Sequence, residues 1–152
     1  MKDWPKNGAD VAGALALIQH GYPELQPLLP DIVLWLKVNG PVREVFCAFL
    51  AQLGAPAIEP VRKALQGTHE HQIEQLMRFV LPLWPPDALL ALAKELEDFL
   101  QRPSVLGLNV LVLPVLLRSG ARTHAPIDEW ARVYRRRLLV QLEILDLIEK
   151  PA

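Results

Sequence analysis

Apolar residues recur at steps of three and four along nearly the whole chain, and strict alternation is absent. That is the pattern of helices with one buried face, not of strands. Gly and Pro punctuate it. A first helix is predicted from Asp10, a good N-cap residue, to His20, closed by Gly21. A second covers Pro27 to Val38, with Leu28, Leu29, Ile32, Trp35 and Leu36 on one face. Pro30 is tolerated there because it falls in the first turn. Asn39-Gly40-Pro41 ends that helix and starts a third, Pro41 to Leu53, which buries Val42, Val45, Phe46, Phe49 and Leu50. A fourth runs from Ala57 to Gln66 with Pro60 in its first turn. Thr68 is predicted to cap a fifth that ends near Leu81. A sixth spans Pro86 to Gln101. Ser104 is predicted to cap a seventh that runs to Ser119, kinked at Pro114. The eighth and longest covers Pro126 to Glu149.

The links between these helices are too short for anything but near-antiparallel neighbours. The predicted fold class is therefore all-α, a HEAT-like α-α superhelix (a short solenoid) of about eight helices, with a closed bundle as the competitor. The string from Leu50 to Leu65 favours the solenoid: a helix ending in Leu53-Gly54, a tight turn, and a second helix with Pro60 near its start. A similar exit occurs at Leu116 to Gly120. At 152 residues the chain is expected to form one helical-repeat domain.

A set of pieces carries a longer likeness: Pro5-Lys6, Asp10-Val11, Tyr22-Pro23-Glu24-Leu25, Leu28-Leu29-Pro30, Trp35-Leu36, Asn39 and Pro41-Val42. Their order and spacing resemble a family of small bacterial HEAT-like domains, domain-of-unknown-function family 5071. The resemblance is close over the first third and continues by helical pattern to about Gly120. It implies the fold and names no activity. The family's phrase W-L-x-D-x-N-W-P-V is shortened here to Trp35-Leu36-Lys37-Val38-Asn39-Gly40-Pro41-Val42. The acidic position is missing, and Gly40 stands where the second Trp belongs. The family's aromatic stretch is replaced by Thr68-His69-Glu70-His71-Gln72, and its acidic run by Pro103-Ser104-Val105-Leu106. Residues 1–120 are thus the family-like part, and 121–152 a C-terminal extension helix.

Composition narrows the function classes. Apolar residues make up 51% and charged residues 22%, enough for a core and too apolar for disorder. The formal net charge of −1 gives no global pull toward nucleic acid or acidic lipid. The single Cys47 excludes a disulfide framework within the chain. It lies between Phe46 and Phe49 and reads as an inert core thiol. The start of the chain has no apolar signal region, and the 15 uncharged residues from Pro103 to Leu117 fall short of a membrane span. The expected location is the cytoplasm, with no membrane partner.

No nucleophile elbow, Walker or Rossmann glycine pattern is present. His69-Glu70-His71 invites a metal reading, but residues two apart on a helix point about 200° from each other. No catalytic residue, metal ligand or cofactor is therefore assigned. Glu95, Glu97 and Asp98 read as a solubilising face. Trp35 and Trp130 read as core, and Trp4 and Trp84 as packing over helix ends. His20 and His124 fall in loops.

The eighth helix has the sharpest charge pattern. Trp130, Tyr134, Leu138, Leu142, Leu145 and Ile148 share one face; Asp128, Arg132, Arg135, Glu143 and Asp146 lie opposite. Arg137 sits at the edge of the apolar arc, and Leu139 among the charges. From Arg118 to Arg137 there are six Arg and two acids, yet acids follow at once, which favours a protein-docking face over nucleic acid. The candidate partner-binding residues are His69, Glu70, His71, Arg132, Arg135, Arg136, Leu139, Glu143 and Asp146. The expected function is a non-catalytic protein–protein interaction module, in its most specific form a bacterial immunity protein that neutralises a cognate toxin. A nucleic-acid-binding helical-repeat protein and a structural homodimer or adaptor are the alternatives.

Overall fold

The computed structural model describes residues 3–102, 104–121 and 127–150, with the side chains of Ile127 and Trp130 left out. The expectations for His124, Pro126 and the Trp130 side chain lie outside the described residues. The chain forms two compact units, residues 1–121 and 122–152. Among the described residues it is all-helical, with no strand.

The first unit holds α1 (Val11–Ile18), α2 (Leu29–Leu34), α3 (Pro41–Leu53), α4 (Ile58–Leu65), α5 (Glu70–Gln75), α6 (Pro86–Leu90), α7 (Ala93–Asp98) and α8 (Leu108–Ser119). The second holds α9 (Ile127–Glu149). Short 3₁₀ turns at Gln26–Leu28 and Trp35–Lys37 flank α2, and another at Ala55–Ala57 leads into α4. The Asp10 carboxylate accepts the Gly13 N–H at 3.0 Å and so caps α1 as its position predicts. Helix α3 keeps its predicted limits because Pro41 and Gly54 flank it. α8 runs unbroken through Pro114.

Four elements depart from the sequence expectation. The second predicted helix, Pro27 to Val38, is α-helical only over Leu29–Leu34, between two 3₁₀ turns. The fifth helix is capped by His69, not Thr68: the imidazole Nδ1 accepts the Gln72 N–H at 3.2 Å. Beyond Gln75 that helix widens into a π-turn over Leu76–Val80 and then tightens to 3₁₀ over Leu81–Leu83. The sixth predicted helix is split into α6 and α7. The Leu92 N–H bonds back only three residues to the Leu89 carbonyl, at 2.9 Å, and Leu89, Leu92 and Leu96 on either side of the break are all buried. The seventh starts at Leu108, behind a left-handed Gly107. Ser104 still serves that helix, its hydroxyl accepting the Leu108 N–H at 3.1 Å.

The core of the first unit is built on Leu17, Leu25, Ile32, Leu36, Phe46, Leu50, Leu65, Ile73, Leu76, Trp84 and Phe99, all fully buried. Each such side chain contributes about 1.5–3 kcal/mol by burial. α1 packs on α3, α2 on α4, α3 on the π-turn, and α8 on α6 and α7. Trp84 is a buried anchor whose indole N–H donates to the Leu50 carbonyl at 2.9 Å near the end of α3. Arg118 donates to the Trp84 carbonyl at 3.2 Å. Trp4 stacks on Trp35 with ring centroids 6.4 Å apart, and Trp35 meets Phe46 edge-on.

Candidate functional site

A groove of about 980 Å³ lies in the first unit between α2, α4 and the start of α5. Its walls come from Pro30, Val33 and Leu34 on α2 and from Pro60 and Ala64 on α4. Leu34 is half exposed there. Lys37, Arg62 and Lys63 line it as well, against one acid, Glu59, beside the His69 imidazole. The apolar walls and this excess of cationic groups give the groove two recognition features at once.

A buried amide ties the two sides of the groove together. Gln72, 3% exposed, donates from Nε2 to the Val33 carbonyl at 2.8 Å. The floor is fixed by an ion pair. Arg62 Nη1 meets Glu95 Oε1 at 2.7 Å, linking α4 to α7, while Arg62 Nε meets Glu59 at 3.2 Å. Glu95 holds the Arg62 guanidinium proton more tightly than usual, by direct hydrogen bonding. The Glu95 side chain is only 11% exposed, so its place on a solubilising face is corrected: it is a partly buried structural carboxylate. Its second oxygen, Oε2, is buried without a hydrogen-bond partner.

Of the sequence-predicted residues, His69 lines this groove and holds the start of α5. Glu70 is half-buried and borders a smaller hollow of about 260 Å³ beside Ile73, Arg102 and Leu108. His71 is exposed and turns to Glu74, at 3.5 Å from its carboxylate, which Arg78 also reaches at 3.0 Å. The two imidazoles thus serve different neighbours. Among the described residues no group of three or more His, Cys, Asp or Glu side chains could hold a metal ion. Arg132, Arg135, Arg136, Leu139, Glu143 and Asp146 all lie exposed along α9, in the other unit.

Sequence alone does not mark Lys37, Arg62, Lys63 or Gln72 as site residues, and it places Glu95 on a solvated face. Arg62 and Glu95 are 33 residues apart, and no local pattern joins them. Gln72 carries one signal: a polar residue at the helical position that otherwise takes a core side chain. Cys47 is buried as expected, and burial pushes its thiol up to about 11. No single helix among the described residues is long and apolar enough to cross a membrane. In comparison with known proteins, the chain matches no protein-family model, no curated protein and no solved structure.

Proposed function

We propose that this chain is a non-catalytic protein-interaction module of the cytoplasm, built as a short HEAT-like solenoid, and that the α2–α4–α5 groove receives an extended partner segment carrying aliphatic and acidic side chains. The observation that carries this reading is the groove itself: apolar walls from Pro30, Val33, Leu34 and Pro60, beside Lys37 and Lys63. Apolar walls give affinity and the cations select the partner's charge. The stacking of α1 on α3 and of α2 on α4 supports the solenoid arrangement, since alternate helices meet in a repeat stack. Solenoids characteristically bind other proteins along such continuous surfaces. A cognate toxin is the most specific form of partner this reading takes, and the chain would then act as its immunity protein.

The test is affinity capture of the tagged chain from native lysate, at moderate salt with nuclease present, beside the double variant Lys37→Glu, Lys63→Glu. One stoichiometric protein held by the natural chain and lost by the variant is the expected result. Toxicity of that protein when expressed alone would make it a toxin–immunity pair. A partner held equally by the variant would overturn the groove as the site. Recovery of nucleic acid alone, once nuclease is omitted, would overturn the protein-module reading in favour of the nucleic-acid one.

A further inference from the structure

α9 is apolar over more than half its circumference. Beside the face that contains Leu138, Leu142 and Leu145 runs a second stripe: Val133, Arg137, Val140, Ile144 and Leu147, at successive steps of four and three residues. Its four apolar members are between 48% and 72% exposed. A packed helix neighbour covers an arc of about 100°, so one contact leaves the other stripe in water. Steps of four and three are those of a two-helix seam.

The flanks of this second stripe differ in charge. One edge, at seven-residue steps, reads Glu129, Arg136, Glu143, Lys150; the other reads Tyr134, Gln141, Ile148. All four charged residues are exposed. In a parallel pair of identical helices, the charged edge of one meets the uncharged edge of the other. In an antiparallel pair, like edges meet. With Val133 opposite Ile144 and Arg137 opposite Val140, Arg136 then faces Glu143 of the second copy, and Glu129 faces Lys150. Every edge charge meets its opposite, twice over by the two-fold symmetry. Arg137, otherwise misplaced in an apolar stripe, lies near the two-fold axis. There its stem crosses the seam while its guanidinium reaches past the edge toward Glu143 of the second copy.

From this pattern we infer that α9 is a homodimerisation element, pairing antiparallel with α9 of a second copy through Val133, Val140, Ile144 and Leu147, with Arg136–Glu143 pairs fixing orientation. The assignment is independent of the groove and of what it binds.

Sedimentation velocity on the full chain over a concentration series tests it. The natural chain is expected to show a monomer–dimer equilibrium. Arg136→Glu and Glu143→Arg, both exposed changes, should each weaken dimerisation by about tenfold, because two attractive edge contacts become repulsive. The double variant should recover it, and circular dichroism should show unchanged helix in all three. Orientation is read by cross-linking. Val133→Cys and Ile144→Cys chains should form a mixed disulfide when combined, and Val133→Cys alone should not cross-link efficiently to itself. A chain that stays monomeric at high concentration would overturn the inference, as would a double variant no better than the singles. Efficient self-linking of Val133→Cys would show a parallel pair and overturn the orientation. None of these outcomes touches the groove reading, whose own failure is seen in the capture experiment.

Discussion

Gly40 is held where no other residue fits. Its φ is 129°, in the region that side chains rarely adopt, and a Cβ there would collide with the Gly8 carbonyl oxygen. The approach has a purpose: the same Gly8 carbonyl accepts the Val42 N–H at 3.0 Å, satisfying one of the open donors at the start of α3. Gly40→Ala should therefore destabilise the chain by about 2 kcal/mol or more. Gly21→Ala, also at positive φ but with open space around its Cβ, should cost about 1 kcal/mol. Urea unfolding of the two variants side by side checks the difference; equal losses would show that the Gly8 contact does not matter.

At the scale of elements, what could be read from the sequence depended on whether a local signal existed. α3 was legible to the residue because Pro41 and Gly54 mark both ends. α1 was legible because Asp10 caps it, and α9 because no breaker interrupts it. The fifth helix was read as plain α and is not. Apart from Gln75, its buried residues fall in adjacent pairs at Gln72-Ile73, Leu76-Met77 and Val80-Leu81, a spacing of four. An α-helix of 3.6 residues per turn would drift by about 40° at each step and carry the last pair out of the core. The π-turn over Leu76–Val80 absorbs that drift. The groove was less legible for a different reason. His69 drew attention as part of His69-Glu70-His71, but Lys37, Lys63 and Arg62 come together only when α2 packs on α4. The π-turn yields a prediction at this scale. Deleting the exposed Phe79 leaves the buried pairs on one face of an ordinary α-helix, so the thermal midpoint should fall by only a few degrees. Deleting the exposed Ala48 in α3 rotates Leu50 and Ala51 away from the core and should abolish cooperative unfolding. Differential scanning calorimetry distinguishes the two.

The whole molecule divides its labour between two units. Among the described residues the buried apolar core lies in the first, from Ala14 to Leu116, together with the groove. The second presents a long helix whose described side chains are exposed or half-buried. Within the first unit, many of the elements that meet are near one another in sequence: α1 with α3, α2 with α4, α6 and α7 with α8. That adjacency governs how quickly order can arise as well as what the ordered state is. Joining neighbours closes only short loops, and short loops cost little chain entropy before their contacts repay it. Refolding of this unit, followed by the fluorescence of the buried Trp84 after dilution from urea, should be complete within milliseconds or about that time, as in helical proteins dominated by local contacts. A protein arranged in this way can gain structure piece by piece while its later residues are still being synthesised. Its N-terminal helices wait only for the stretch up to Trp84, where the Gln72 amide and the Trp84 indole close on the Val33 and Leu50 carbonyls.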